Sequence, residues 1–123
     1  MKPTRYPRAE LIADREPSGR WIVPPSEGGW TEPRFSEWQL TGESWSDQHP
    51  HDEYVYVLEG RLFVEAGGET VEALPGDLVR VPAGSIGRYW APRHARMLGI
   101  YGPNPLNGET RRLGFAKLGE GRE

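Results

Sequence analysis

The chain has no cysteine, no long apolar run and no block of basic residues. Without cysteine it can form neither a disulfide bond nor a thiolate metal site. No stretch approaches the roughly 20 apolar residues of a membrane-spanning helix, and Met1 to Arg5 lack the apolar run of a signal peptide. Lysine and arginine total 15 against 18 acidic residues, without the basic patch that nucleic acid requires. We therefore expect a cytoplasmic protein that binds neither membranes nor nucleic acids.

Glycine and proline are abundant, with 16 and 12 residues in a chain of 123. Both interrupt helices, so their number favours short strands. The length suits one domain, with an N-terminal arm over residues 1–33, a barrel core over residues 34–101 and a C-terminal tail over residues 102–123. The arm is rich in proline and offers at most a short strand at Trp21–Val23. We expect the charged end, Gly119–Glu123, to fray.

Short runs of alternating, β-branched or aromatic residues recur along the core, with turn residues between them. Runs at this spacing predict an all-β sandwich or barrel. No window of ten or more residues carries the apolar stripe of a helix. The predicted strands are Phe35–Leu40, Tyr54–Leu58, Leu62–Val64, Thr70–Leu74, Leu78–Val81, Ile86–Trp90 and Met97–Tyr101.

One short segment concentrates the residues that could carry chemistry: Asp47, His49, His51 and Glu53. In an extended chain, side chains two residues apart lie on one face, about 6.6 Å from each other. All four could therefore point into one cavity. Imidazole and carboxylate together suit Fe, Mn, Zn, Ni or Cu, and the spacing does not choose among these metals. The alternative is a polar loop before a strand, with its side chains in solvent.

Two motifs resemble those of the cupin superfamily. The segment His49–Gly60, HPHDEYVYVLEG, resembles the first cupin motif, and Pro75–Gly84, PGDLVRVPAG, resembles the second. The resemblance extends from about Phe35 to Tyr101. It implies a double-stranded β-helix, which is a small jelly-roll-like antiparallel barrel with a ligand cavity inside. Function is much less specified, because this fold hosts many chemistries.

The spacing of the first motif decides which residues correspond to the metal ligands of the family. Counting back from Gly60 and Glu53, the second histidine of the motif falls on His49 and the first falls on Asp47. The resemblance therefore implies His49 and Glu53 as ligands, with Asp47 as an oxygen donor. His51 is then an additional histidine, although a local slip would make His49 and His51 the pair.

The second motif departs further from the family pattern. Its usual histidine, three residues after Gly84, is Gly87 here, and the usual asparagine is Ala91. Residues 82–86 and 95–105 resemble the ethanolamine-utilisation type of cupin, which also lacks this histidine. The missing histidine favours binding or altered chemistry over dioxygenase activity.

Three functions are compatible with this pattern. The first is a small-molecule enzyme with a divalent transition metal on Asp47, His49, His51 and Glu53, of which His49 and Glu53 are the catalytic candidates. The second is a metal-free isomerase, epimerase or cyclase with His49 as base. The third is a barrel that binds a small molecule without catalysis. We expect a homodimer, and a substrate pocket that includes Trp45, Tyr89 and Arg88.

Overall fold

The computed structural model describes residues 1–119, which form ten β-strands and no helix. No helix in this part of the chain could therefore cross a membrane. The strands are β1 (Gly19–Val23), β2 (Arg34–Leu40), β3 (Glu43–Gln48), β4 (Glu53–Gly60), β5 (Leu62–Ala66), β6 (Glu69–Ala73), β7 (Leu78–Val81), β8 (Ile86–Ala91), β9 (Ala95–Tyr101) and β10 (Arg111–Lys117).

The strands form two five-stranded antiparallel sheets. The first sheet has the order β1-β2-β9-β4-β7, and the second has the order β10-β3-β8-β5-β6. Strands distant in sequence are neighbours in both sheets, so the chain crosses repeatedly between them. This architecture confirms the all-β class and the double-stranded β-helix that the two motifs imply.

The core lies between the sheets and follows from alternation along the strands. Val55 and Val57 of β4 and Met97 of β9 are fully buried at alternate positions, while Leu62 and Val64 fill the space from β5. Complete burial of such a side chain stabilises the fold by about 1.5–3 kcal/mol. This packed apolar interior closes one end of the barrel and leaves the other end for polar groups.

The loop after β4 explains why the first motif ends on glycine. Gly60 has a φ of 81°, a conformation that side chains disfavour. A Cβ atom at this position would also collide with the backbone carbonyl of His94. The backbone of Arg61 in turn donates a hydrogen bond to the carbonyl of His94 at 3.0 Å. The motif glycine thus allows the β4–β5 turn to pack against the loop before β9.

Two strands lie where the sequence predicted none. β3 covers polar residues before the first motif, and β10 forms within the expected C-terminal tail. β10 pairs with β3 along its length, from Arg111 beside Gln48 to Lys117 beside Glu43. The tail is thus partly sheet, because β3 would otherwise leave its backbone groups unpaired at an edge. The expected fraying concerns Gly119–Glu123, of which residues 120–123 lie outside the described part of the chain.

Candidate functional site

The candidate site lies where β3 ends and β4 begins. Asp47 is the penultimate residue of β3, Glu53 is the first residue of β4, and His49 lies in the connection between them. The three side chains point into the barrel, where Asp47 and Glu53 retain only 5% and 2% of their exposure. Two carboxylates this deeply buried require a compensating positive group.

One atom of each residue converges on the others. His49 Nε2 lies 3.1 Å from Asp47 Oδ2 and 3.3 Å from Glu53 Oε1, and the candidate ligand atoms all lie within 4.8 Å of one another. His49 Nε2 nevertheless makes no well-aligned hydrogen bond, and Asp47 Oδ1 is buried without a hydrogen-bond partner among residues 1–119. Ligand-type atoms that converge without completing their own hydrogen bonds are suited to a cation.

Neighbouring side chains hold each of the three residues in place. The indole nitrogen of Trp45 donates to Asp47 Oδ2 at 2.9 Å, and the hydroxyl of Tyr89 donates to Glu53 Oε1 at 2.5 Å. His49 Nδ1 is hydrogen-bonded to Thr110 Oγ1 at 2.7 Å. Such outer partners fix the orientation of metal ligands and leave His49 Nε2 to face the carboxylates.

The pKa values reflect this concentration of charge. Burial lowers the pKa of His49, but the carboxylates of Asp47 and Glu53 outweigh it and raise the pKa to about 10. Burial raises the pKa of Glu53, against the opposing effect of His49. Without another cation, His49 is therefore the group that carries the compensating positive charge.

Tyr89 occupies the space that the resemblance assigns to a fourth ligand. Gly87 lies beside Asp47 in the sheet register, and a Cβ at Gly87 would come within 2.6 Å of the Tyr89 hydroxyl oxygen. The glycine thus makes room for the hydroxyl that donates to Glu53. Tyr89 is fully buried and, contrary to the expectation that it belongs to the substrate pocket, is not part of the cavity lining. It supports the site from behind.

His51 is close to the site but is not part of the converging set. Its ring stacks on that of His49, with centroids 4.7 Å apart, and its Nδ1 is hydrogen-bonded to the carbonyl oxygen of Asp52 at 2.9 Å. Burial lowers the pKa of His51, which favours a neutral ring. The structure therefore groups Asp47, His49 and Glu53 and leaves His51 as a wall of the cavity.

The three residues open into a cavity of about 360 Å³. Trp45 lines it, as expected. Arg88 does not, because it lies between Gly87 and Tyr89 on β8 and therefore points to the opposite face of the sheet. Its side chain is 63% exposed and lies 3.6 Å from Glu65. The expectation that Arg88 contributes to the pocket was therefore wrong.

Several residues that line this cavity were not predicted from the sequence. The missed lining residues come from the arm, from β9 and from the segment before and within β10: Arg15, Trp30, Tyr101, Thr110 and Arg112. The aromatic content of the arm was a usable signal for Trp30. No local pattern connects Thr110 with His49, because the two residues are 61 positions apart.

Known proteins share this fold and part of this sequence. The Cupin_2 family, described as the cupin domain, matches residues 35–101. Quercetin 2,3-dioxygenase of Bacillus subtilis (strain 168) is 30% identical over 107 residues, which are 85% of this chain and 28% of that protein. This chain thus spans little more than a quarter of that relative.

Solved structures agree with the family match. Ethanolamine utilization protein Q of Salmonella typhimurium LT2 is 31% identical, with a TM-score of 0.52 and 59% of each chain covered. A cupin-like protein of Thermotoga maritima MSB8 is 20% identical, with a TM-score of 0.67 over 79% of this chain and 75% of that one, and shows the shared fold. Because the family match covers more than half of the chain, this protein belongs to the cupin family.

Proposed function

We propose that this protein is a small-molecule enzyme that binds one divalent transition metal ion through Asp47, His49 and Glu53. The observation that carries the proposal is the convergence of three ligand atoms within 4.8 Å at the base of a cavity. The buried Asp47 Oδ1, which lacks a partner among the described residues, supports it. One imidazole and two carboxylates suit Fe, Mn, Zn, Ni or Cu.

The charges support the same conclusion. A divalent cation would balance the carboxylates of Asp47 and Glu53, and His49 would then bind as a neutral imidazole. A bound metal supplies Lewis acidity toward an oxygen of the substrate. Trp45, Tyr89 and the hydroxyl of Thr110 hold the three ligands in position through their hydrogen bonds.

The test is elemental analysis of the full-length protein purified without a histidine tag. We expect about one transition metal per chain, or uptake to that level when each of the five metals is added after chelation. His49→Ala is expected to lose the metal, and His94→Ala, which changes a histidine outside the cavity, is expected to retain it. Absence of stoichiometric metal before and after reloading would contradict the proposal.

A metal-free acid–base enzyme is the second candidate. The paired carboxylates favour it, because they hold a proton on His49 in the absence of metal. That proton makes His49 an acid at neutral pH, in place of the base that the sequence suggested. Activity that persists in chelator but not in His49→Ala would support this candidate over the metal enzyme.

The reaction can be narrowed in the same samples. The relative in Bacillus subtilis is named as a dioxygenase of quercetin, so quercetin and oxygen uptake are the first assay for the metal-loaded protein. A bound ligand that is recovered unchanged after long incubation would favour the third function, which is binding without catalysis. The homodimer stays a prediction, which the mass in solution at micromolar concentration would test.

A further inference from the structure

Two arginines that line the cavity have no carboxylate partner in the described chain. Arg15 of the arm and Arg112 of β10 line the cavity that contains the candidate metal ligands. Neither forms an ion pair with a carboxylate of residues 1–119, whereas Arg20, which also lines the cavity, pairs with Glu37 at 3.0 Å. The positive charges of Arg15 and Arg112 are thus available to a ligand.

The sheet register places Arg112 next to the candidate metal site. Arg112 of β10 lies directly opposite Asp47 of β3, and opposite residues of an antiparallel pair project their side chains to the same face. Although the two residues are neighbours, Arg112 does not pair with the carboxylate of Asp47 in the structure. Its guanidinium therefore remains free to contact a ligand that approaches the site.

Arg15 approaches the same cavity from the arm. It is half-buried and lines the same cavity as Tyr101. Asp14 and Glu16 flank Arg15 in sequence, but they line a neighbouring cavity and not the one above His49. Arg15 and Arg112 line both cavities, so they lie at the boundary between them.

Four of the residues that line the cavity are tryptophans. The indole rings of Trp21, Trp30, Trp38 and Trp45 all line the cavity, and such rings favour flat apolar groups. The volume of about 360 Å³ lies near the lower end of the range for small-molecule pockets. The cavity thus combines two arginines that have no carboxylate partner in the described chain, four tryptophans and the three candidate ligands.

We propose that the ligand of this cavity is a small organic acid, whose carboxylate binds between Arg15 and Arg112 and whose flat apolar body lies among the indole rings. The proposal rests on the metal function proposed above, because a divalent cation would neutralise Asp47 and Glu53 and leave the arginines as the excess charge of the cavity. A cavity of net positive charge attracts anions and disfavours cationic ligands. Guanidinium groups recognise carboxylates with well-defined hydrogen-bond geometry.

The test compares acids with alcohols of the same shape. Benzoate, phenylacetate and 3-phenylpropanoate are titrated by calorimetry into the zinc-loaded full-length protein, each against the corresponding alcohol. We expect at least one acid to bind about tenfold tighter than its alcohol, and the difference to shrink when salt rises from about 0.05 M to about 0.5 M. No preference for the acid in any of the three pairs would overturn the proposal.

Substitution of the two arginines tests whether their charges bind the carboxylate of the acid. Arg15→Gln and Arg112→Gln are each expected to weaken binding of the preferred acid by about tenfold and to leave its alcohol unchanged. Arg88→Gln is the matched control, because Arg88 is exposed on the opposite face of the sheet. Full affinity for the acid in the double variant Arg15→Gln, Arg112→Gln would also overturn the proposal.

The metal content of the same samples separates this inference from the proposed function. Metal-loaded protein that binds acids and alcohols equally would contradict the inference and leave the metal function intact. Arginine-dependent binding of acids to protein that takes up no metal would support the anion site and contradict the metal function. Circular dichroism and thermal unfolding of each variant confirm that lost binding does not arise from lost folding.

Discussion

The molecule contains two histidines with similar polar neighbours and different surroundings. His49 Nδ1 is hydrogen-bonded to the hydroxyl of Thr110, and His94 Nδ1 is hydrogen-bonded to the hydroxyl of Thr41. Each Nε2 atom lies near a glutamate, at 3.3 Å for His49 and 3.4 Å for His94. By a list of neighbours alone, the two histidines would receive the same interpretation.

Burial and charge balance distinguish them. Beside His94, Glu59 is 53% exposed and also pairs with Arg96 at 2.9 Å, so solvent and a guanidinium already compensate its charge. Beside His49, Glu53 is almost fully buried, and Asp47 adds a second carboxylate to the same space. An exposed ion pair contributes little, whereas two buried carboxylates require a cation. The same side chains therefore serve a surface network in one place and a candidate metal site in the other.

Replacement of each histidine by alanine should give the largest difference between the two sites, which is a difference in metal binding. His49→Ala removes one of the three candidate ligands, and we expect it to abolish measurable metal binding in a competition assay with a chromophoric chelator. His94→Ala should bind metal with unchanged affinity. Equal metal affinity of the two variants would show that His49 is not a ligand.

The pH dependence of metal affinity should distinguish the two histidines next. The pKa of His49 in the folded protein is about 10, which is above its pKa in the unfolded chain. Without metal, the protonated histidine therefore stabilises the fold fully at a pH below the unfolded pKa. This contribution is lost as the pH rises toward 10. Metal must displace that proton, so affinity should increase about tenfold per unit between about pH 7 and about pH 9. Calorimetry in buffers of different ionisation enthalpy should detect the released proton.

The His94→Ala variant is the control for the pH dependence of metal affinity. His94→Ala should retain the slope of the wild type, because His94 does not contact the three candidate ligands. A flat pH dependence in the wild type would show that metal binds without displacing the proton of His49.

Removal of the hydroxyl behind Glu53 should have a smaller effect. Tyr89→Phe leaves Glu53 Oε1 without its donor, and we expect the free energy of unfolding to fall by about 1–3 kcal/mol and metal affinity to fall about tenfold. Tyr101→Phe is the matched control, since its hydroxyl is hydrogen-bonded to Ser36 at 2.7 Å. If both variants lost metal affinity equally, Tyr89 would have no specific role in positioning Glu53.

The smallest effect is expected at the exposed histidine. Glu59→Gln removes the carboxylate beside His94, and we expect no measurable change in metal content or in the midpoint of thermal unfolding, because solvent replaces the lost interaction. Differential scanning calorimetry measures the midpoint. A marked loss of stability would show that the ion pairs of Glu59 with His94 and Arg96 contribute more than exposed surface pairs do.

Most of the strands that the sequence predicted bury alternate residues against the core, as β4, β5, β8 and β9 do. The exception is β6, in which only Ala73 is buried. β3 lacked this signal because its inward side chains, Trp45 and Asp47 among them, face the polar end of the barrel. β10 is largely exposed and is a strand because β3 pairs with it, a long-range effect that local propensity does not contain.

The sequence also predicted part of the candidate site. The motif spacing identified His49 and Glu53 as ligands and Asp47 as an oxygen donor, and the structure groups these three residues. His51 has the same parity but lies outside this group, because the chain leaves the extended conformation after Gln48. The error at Arg88 was avoidable, since Tyr89 was already expected to face inward and adjacent strand residues point to opposite faces.

The pairing of β10 with β3 has a consequence for how this protein could be diversified. The three candidate ligands lie within residues 35–101, the segment that matches the family, whereas Arg15, Trp30, Thr110 and Arg112 enclose the cavity from outside that segment. The candidate ligands and the two unpaired arginines are thus encoded in separate stretches of the chain that meet only in the folded protein. Exchange of the flanking stretches between relatives would test whether the proposed ligand preference changes while the proposed metal site is retained.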